Sequence, residues 1–361
     1  MYGSHHKTDS PLLKLPLNMI DDFPVGDSLH LIDLGIMKRH LLGWRDGNMG
    51  NYRAKWSART TEEISRRLKL MKMPSEIHRS VRGLDCLAHW KGTEFRTFFY
   101  YLSLVVLKPV LPADLYEHFL VLFCAVTICS SKTYSHLLNL AHKLLLHYIE
   151  IFKKLYGEDY ITSNVHNLNH LVDDVKKFGV LSEFNAYPFE SKLCQIKNLL
   201  RTGNNPLSQA AKRLIEIDEV TLNQSYDTTT KCKIPKLTKE IVGENITQNS
   251  VSPEYAKVEI NDYSLSNDRV NKWFLTKSGK IVGMKHARQL ENSVEIYGSS
   301  LKQIDAFFKK PILSTRLSIY ISDCKDCSPE FYNVNDIKCK MVAIPISQSS
   351  EFVFVPLLHT L

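Results

Sequence analysis

The stretch Phe23–Arg39, FPVGDSLHLIDLGIMKR, opens a segment whose apolar residues recur with a helical period. Leu29, Ile32 and Ile36 fall three or four residues apart, so they predict an amphipathic helix that begins near Ser28. Asp27 stands directly before that helix, at the position where an aspartate commonly caps the first backbone N–H groups. A carboxylate at this position can cap the helix, and it can also bind a cation.

A second acidic residue, Glu190, precedes another helical run far along the chain. It ends the string YPFE, Tyr187–Glu190, and stands just before the run Leu193–Leu200. A glutamate in the first turn of a helix also has a purely structural interpretation, because it complements the helix dipole. If the fold brings Asp27 and Glu190 together, the pair could hold a divalent cation, and two such ions can promote in-line displacement at phosphate.

The residues between the two acids predict a large helical region. Apolar residues recur there at helical spacing, and the run Tyr134–Leu155 is the longest example. From about residue 253 the pattern changes to short strand-like runs, with a hairpin over Lys272–Met284 and one short helix over Ser300–Phe308. The sequence therefore predicts a mainly α protein with a β-rich C-terminal domain, residues 253–361, after a polar linker, residues 221–252.

The composition of the chain predicts a packed core but does not identify a binding partner. The 361 residues are 44% hydrophobic and 23% charged, with a net charge of +8. That balance is typical of a globular chain, and a moderately basic protein is compatible with nucleic acid without requiring it. The N-terminal residues show no secretory signal, and the nearest candidate for a membrane span, Phe119–Cys129, is too short. We therefore expect a nuclear or, alternatively, cytoplasmic protein with reduced cysteines and no membrane partner.

Three strings of this chain together resemble a known family. The first is FPVGDSLHLIDLGIMKR, the second is WKGTEFRTF at residues 90–98, and the third combines YPFE with LLRTGNNPL at residues 199–207. In this order and spacing they resemble the C-terminal portion of CACTA (En/Spm)-like DDE transposases of the animal type. Strings in the β-rich part, such as Trp273–Thr276 and Phe352–Thr360, also look like the end of the animal members.

The resemblance implies an RNase H-like core interrupted by a large helical insertion. Residues 12–45 and 180–217 would form a partial edge of that core, residues 46–179 the insertion, and residues 1–220 the transposase-like region. Intact relatives cleave and join DNA with Mg²⁺ or Mn²⁺ held by an Asp-Asp-Glu triad. By resemblance, Asp27 would be the second acid and Glu190 the third, and both would be metal ligands.

The first acid of the triad has no counterpart among the residues before Asp27. Only 26 residues precede it, and they predict no sheet. Two carboxylates alone cannot hold two metal ions in the geometry that in-line transfer needs. We therefore expect a truncated or domesticated transposase-like protein that is inactive alone.

The resemblance also implies DNA as a partner, with the missing N-terminal transposase part or a second copy of the chain as further partners. Five basic residues near Glu190 could track DNA phosphates, although a run of charges is more commonly a solvated face. They are Lys192, Lys197, Arg201, Lys212 and Arg213. His30, beside Asp27, could touch the scissile phosphate or orient the acid, or could simply be a buried histidine. Asp33 is expected on the face of the same helix.

Within the insertion, two pairs of residues stand out. Cys86 and His89 match a Cys-x-x-His pattern that related transposases carry, but two residues alone are a weak signal, and a buried thiol and a helix-face histidine are the favoured interpretation. Glu94 and Arg96 are two residues apart and do not share a helix face, so we expect them to make separate polar contacts.

Two further pairs have metal-ligand spacing without a full set of ligands. His166 and His170 are four residues apart, and Cys324 and Cys327 form a lone Cys-x-x-Cys. A structural zinc site normally needs four ligands, so structural histidines and a polar turn are the favoured interpretations.

A different class of function remains open, a non-catalytic helical module that binds protein or DNA. In that case Asp27 and Glu190 would both be helix-terminal acids and would lie far apart. The separation of their carboxylates in the fold distinguishes the two classes.

Overall fold

The computed structural model describes residues 11–18, 21–50, 55–222, 235–241, 253–291, 293–346 and 349–361. Within these residues the N-terminal part is helical and the C-terminal part is built from strands. This confirms the predicted layout of a helical region followed by a β-rich region.

The helical part contains two π-helical segments, Ser28–Met37 and Phe98–Leu102, each of which continues into an α-helix. The α-helices among the described residues are α1 (Lys38–Asp46), α2 (Ala58–Leu70), α3 (Gly92–Thr97), α4 (Ser103–Leu107), α5 (Ala113–Cys129), α6 (Leu138–Tyr156), α7 (Ser163–Asn167), α8 (Leu171–Phe178), α9 (Tyr187–Leu199) and α10 (Pro206–Leu222).

Helix α5 is the centre of the helical core. It follows Pro112 and is apolar along nearly its whole length, so that most of its side chains are buried. It packs against α6, whose apolar face includes Leu145, Tyr148 and Phe152. A helix that is apolar on every side must be surrounded by other elements, and α5 is enclosed in this way.

The described strands form one sheet in which every pairing is antiparallel. They are β1 (Lys236–Glu240), β2 (Glu254–Ile260), β3 (Tyr263–Ser266), β4 (Trp273–Thr276), β5 (Ile281–Gln289), β6 (Val294–Ser300), β7 (Asp305–Ala306), β8 (Tyr320–Ser322), β9 (Glu330–Asn333), β10 (Ile337–Pro345) and β11 (Phe352–Pro356). The main path runs β1-β2-β5-β4-β10-β11-β8-β7, while β3 pairs with β2, and β6 pairs with both β5 and β9.

Two local predictions in the β-rich part have opposite outcomes. The predicted hairpin is confirmed, because β4 and β5 pair directly and Phe274 faces Val282 across the ladder. The short helix predicted over Ser300–Phe308 is wrong. Ser300 ends β6, which pairs with β5, and Asp305–Ala306 is β7. Sheet pairing overrides the weak local helical pattern there.

The segment 221–252, predicted as a linker, contains β1. Most of its other residues lie outside the described part of the chain. Strand β1 pairs with β2, and Leu237 faces Val258.

The helical and β-rich parts share one hydrophobic core. Phe308, Leu317 and Val353 belong to the same buried cluster as the residues of α5 and α6. A hydrogen bond crosses this boundary, since the Tyr134 hydroxyl donates to the Leu317 carbonyl oxygen at 2.7 Å. None of the helices in the described residues is both long enough and apolar enough to cross a membrane.

Candidate functional site

Asp27 caps the π-helical segment that follows it, as its position predicts. Its Oδ1 atom accepts hydrogen bonds from the backbone N–H groups of Leu29 at 2.8 Å and His30 at 3.3 Å. The side chains of Leu29, Ile32 and Ile36 are buried on the face beneath. π-Helical turns are uncommon and recur at functional sites, so this conformation makes the segment a candidate for a functional site.

The same Asp27 carboxylate also contacts the helix that carries Glu190. Its Oδ1 atom accepts a hydrogen bond from the backbone N–H of Ala186 at 3.2 Å, and Ala186 is the residue before α9. Glu190 lies in the first turn of α9. The fold therefore places the two acids at one location, although they are far apart in the sequence.

The imidazole of His30 lies between the two carboxylates. Its Nδ1 atom is 2.8 Å from Asp27 Oδ2, and its Nε2 atom is 3.9 Å from Glu190 Oε1. Side-chain exposure is 55% for His30, 56% for Glu190 and 17% for Asp27, so solvent reaches the cluster. We refer to these three residues as the acid–histidine cluster.

The donor set of this cluster suits a divalent cation in part. Carboxylate oxygens are what Mg²⁺ and Mn²⁺ prefer, and Mn²⁺ also accepts an imidazole nitrogen. Within the described residues, however, no group of three or more His, Cys, Asp or Glu side chains is arranged to hold a metal ion. Asp27 Oδ1 already accepts three backbone N–H groups, and Oδ2 is paired with His30 Nδ1, so a cation bound at Oδ2 would have to displace or share that imidazole.

Asp33 and Tyr187 form a second polar cluster close to the first. Asp33 is only 1% exposed, and the Tyr187 hydroxyl donates to its Oδ2 atom at 2.8 Å. Burial raises the pKa of Asp33 to about 8, although the Tyr187 hydroxyl and the nearby Arg96 guanidinium partly counteract this. The carboxyl group therefore carries a proton at neutral pH. Sequence reasoning gave Asp33 no role, yet it lies four residues after Leu29 and three before Ile36, which is the spacing of a buried position.

The string WKGTEFRTF joins the same location through Gly92. A β-carbon at Gly92 would lie 2.3 Å from Leu29 Cδ1 and 2.9 Å from Tyr187 Oη, so a glycine permits this close approach. Arg96 lies over the Tyr187 ring, with its guanidinium carbon 5.8 Å from the ring centroid. The first two strings that carry the family resemblance and the YPFE part of the third therefore meet in space.

Glu94 and Arg96 have different surroundings, since Glu94 pairs with Arg82 and Arg96 lies over the Tyr187 ring. Glu94 is fully buried and forms a two-pronged ion pair with Arg82, with both N–O distances at 2.7 Å. Burial raises the pKa of Glu94, but Arg82 and two backbone N–H groups, those of Lys91 and Arg82, more than offset this and leave the pKa lowered. Glu94 therefore stabilises the fold of the helical part.

Among the described residues, the remaining candidate pairs form no hydrogen bond or ion pair with the acid–histidine cluster. Cys86 contacts the carboxylate of its neighbour Asp85, and both Cys324 and Cys327 are free thiols. The rings of His166 and His170 are 5.7 Å apart, edge to face. His89 contributes only its carbonyl oxygen, to Arg82.

Four of the five predicted DNA-contacting cations have no ion pair within the described part of the chain. Arg213 is held by Glu216 at 2.6 Å. The others are exposed on α9, on α10 or between them, namely Lys192, Lys197, Arg201 and Lys212.

Comparison with known proteins adds one match. A family described as a domain of unknown function, DUF8592, matches residues 239–357. This range covers most of the β-rich part and excludes the acid–histidine cluster. The searches of curated proteins and of solved structures found no match.

Replacing Tyr187 with phenylalanine tests what holds α9 in place. Helix α9 buries none of its residues, so we expect loss of the hydroxyl that bonds Asp33 to destabilise the protein by about 1–2 kcal/mol. Amide hydrogen exchange in residues 186–199 should accelerate. Tyr160→Phe is the control, because the Tyr160 hydroxyl has no hydrogen bond among the described residues. Unchanged exchange in residues 186–199 would contradict the prediction.

Proposed function

We propose that this chain is a truncated or domesticated transposase-like protein, similar to the C-terminal portion of CACTA-type DDE transposases. In this proposal Asp27 and Glu190 are two of the three acids of a metal-dependent DNA-cleaving site. One observation carries the proposal: the first two strings that resemble the family and the YPFE part of the third converge, and the two acids meet on either side of His30.

The chemistry of the cluster agrees with this role. The backbone N–H groups of Leu29, His30 and Ala186 fix the Asp27 carboxylate, so that its Oδ2 atom keeps one direction. Glu190 is exposed and can turn toward a ligand. A bound Mg²⁺ or Mn²⁺ would supply positive charge to a phosphate group. Because only two of the three acids are assigned, we expect no strand cleavage by this chain alone.

The surface of α9 and α10 is consistent with a partial RNase H-like edge. Several large apolar side chains are exposed on this helical pair, which is uncommon on a surface that stays in water. They are Phe189, Leu193, Leu207, Ile215 and Ile217. We propose that the remainder of an RNase H-like core, or a second copy of the chain, covers them, and that the unpaired cations of the same pair contact DNA phosphates.

One observation favours the alternative, a non-catalytic interaction module. Asp27 already has a complete structural role, because its carboxylate caps one helix and bonds to the start of another. A protein that uses Asp27 only in this way would keep the fold and bind no metal ion.

Manganese titration distinguishes the two functions. We expect the protein to bind one Mn²⁺ ion, and we expect Asp27→Asn and Glu190→Gln each to weaken that binding at least about tenfold, since each removes a charged ligand. Isothermal titration calorimetry with each variant measures the affinity. Glu219→Gln, an exposed acid on α10, removes the same charge elsewhere and should bind as the unmodified protein does.

Two outcomes would contradict the metal-binding function. One is that the unmodified protein binds no Mn²⁺, and the other is that all three variants bind it equally. Thermal melting of each variant shows whether weaker binding reflects loss of the ligand or loss of the fold, since Asp27→Asn also alters a helix cap.

A further inference from the structure

Among the described residues, Arg96 has no hydrogen-bonding partner. Its side chain is only partly exposed, yet within the described residues its guanidinium donates no hydrogen bond and lies within 4.0 Å of no carboxylate. Its guanidinium lies over the face of the Tyr187 ring, with its carbon 5.8 Å from the ring centroid. An arginine has five N–H donors, and polar groups withdrawn from water are normally paired. Arg96 therefore has donors available for a ligand.

Arg96 lines a cavity of about 250 Å³. Ser28, the residue after Asp27, lines the same cavity, as do Ser131 and the pair Lys132 and Glu183. Ser28 is adjacent in sequence to Asp27 of the acid–histidine cluster, and Arg96 is a neighbour of Asp33 in the second polar cluster. One residue of the cavity wall is therefore next to each cluster.

Two hydroxyl groups on the cavity wall have protons free to donate. Among the described residues the Ser28 hydroxyl has no hydrogen bond. Ser131 Oγ accepts from the Thr133 N–H at 3.3 Å, which leaves its own proton available. Ser130 differs, because its hydroxyl already donates to the Val126 carbonyl at 2.6 Å. The wall therefore offers a guanidinium and two hydroxyl donors, a set that matches the oxygens of a phosphate group.

The charges around the cavity leave Arg96 uncompensated. Lys132 and Glu183 neutralise each other, with Nζ and Oε1 2.6 Å apart. The carboxyl group of Asp33, which lies near Arg96, is protonated at neutral pH because burial raises its pKa to about 8. Arg96 is thus a cationic side chain of the cavity wall that has no ion pair among the described residues.

We propose that this cavity binds one phosphodiester group of a nucleic-acid strand, with Arg96 as the principal ligand and the hydroxyls of Ser28 and Ser131 as further donors. The planar fork of arginine bonds two phosphate oxygens at once, which lysine cannot do. Because Ser28 follows Asp27 directly, a strand held here would pass beside the acid–histidine cluster. The choice of nucleic acid as the ligand rests on the proposed function.

The test is the binding of a short, labelled single-stranded DNA oligonucleotide, followed by fluorescence anisotropy at several salt concentrations in EDTA. Arg96→Gln should weaken binding at least about tenfold and lower the slope of log K against log salt by about 0.7, the value of one phosphate contact. Arg96→Lys should have an affinity between those of the unmodified protein and Arg96→Gln, since lysine keeps the positive charge but lacks the planar guanidinium fork. Arg59→Gln, at an exposed position on α2, removes the same charge and is the control.

A second measurement separates a binding role from a structural one. Inorganic phosphate should shift the Arg96 Nε–Hε signal in NMR spectra of the folded protein, and acetate at the same concentration should not. Equal oligonucleotide binding by the unmodified protein and Arg96→Gln would overturn the proposal, as would a response to acetate alone. Because EDTA removes metal ions, these results are independent of the manganese titration, and either proposal can fail without the other.

Discussion

Replacing Glu76 with alanine is expected to lower the free energy of unfolding by about 3–5 kcal/mol, the range for a buried charge that loses its partner. The partner is Lys340, whose side chain is 0% exposed. Its ammonium donates to Glu76 Oε2 at 2.8 Å, to the Asn271 side-chain oxygen at 2.8 Å and to the Ser264 carbonyl at 2.7 Å. Because Glu76 belongs to the helical part and Lys340 to β10, the substitution would leave an unpaired charge where the two parts meet.

The pH dependence of this variant identifies the cause. Burial lowers the pKa of Lys340, while Glu76 counteracts that effect, so removal of Glu76 should lower the pKa further. A lysine whose pKa is depressed in the folded state favours folding in its neutral form. The loss of stability in Glu76→Ala should therefore diminish as the pH rises and the ammonium loses its proton.

Urea denaturation of Glu76→Ala measures the effect, with Glu150→Ala as the control. Glu150 is exposed on α6 and has no ion pair among the described residues, so its replacement should change stability by no more than about 0.5 kcal/mol. The double variant Glu76→Leu with Lys340→Met should recover much of the loss, because it removes both charges together. A Glu76→Ala variant as stable as Glu150→Ala would contradict the buried-charge explanation.

Acidification from about pH 7 to pH 4 is expected to remove roughly 3 kcal/mol of stability through His118 alone. This imidazole is 2% exposed and stacks on the Tyr148 ring, with centroids 4.2 Å apart. Its Nε2–H donates to the Tyr148 carbonyl at 2.9 Å, and its Nδ1 atom has no hydrogen-bond partner among the described residues. Burial lowers the pKa of His118 to about 4, and the neighbouring His147 adds slightly to that effect.

The direction of this pH effect follows from the lowered pKa of His118 in the folded protein. The unfolded chain takes up a proton near 6.5, the ordinary pKa of a histidine, whereas the folded protein resists protonation until about pH 4. Stability is therefore fully present above about pH 6.5 and is lost as the pH falls through the folded pKa. His40, which is buried beside His118, should act in the same direction because burial lowers its pKa as well.

Denaturation midpoints of His118→Gln across this pH range test the prediction. A glutamine amide can still donate to the Tyr148 carbonyl but does not titrate, so the variant should lose less stability on acidification than the unmodified protein. His136→Gln, at an exposed position before α6, is the control and should retain the full pH dependence. Equal slopes for His118→Gln and the unmodified protein would contradict the assignment.

Much of the local structure could be predicted from the sequence. The helical period of Leu29, Ile32 and Ile36 and the cap at Asp27 are both present, because they depend on residues close together in the chain. The β4–β5 hairpin is likewise a local feature. The helix predicted over Ser300–Phe308 failed because the pairing of β6 with β5, a tertiary contact, decides the conformation there.

The sequence predicted the candidate site only as separate residues, Asp27 with its neighbour His30 and the distant Glu190. Family resemblance named Asp27 and Glu190, but no local pattern indicates that His30 lies between them. The contact between Asp33 and Tyr187 depends on strings that are distant in the sequence and meet in the fold. The same is true of Arg96, whose guanidinium has no hydrogen bond among the described residues. Such contacts become visible only once packing has fixed which side chains are withdrawn from water.

The most direct test of the proposed function is a crystal structure of the protein soaked with Mn²⁺ and measured for anomalous scattering. The proposal predicts an anomalous peak within about 2.0–2.6 Å of a carboxylate oxygen from each of Asp27 and Glu190. A map without such a peak, in which the His30 ring still lies between the two carboxylates, would contradict it and leave Asp27 as a helix cap.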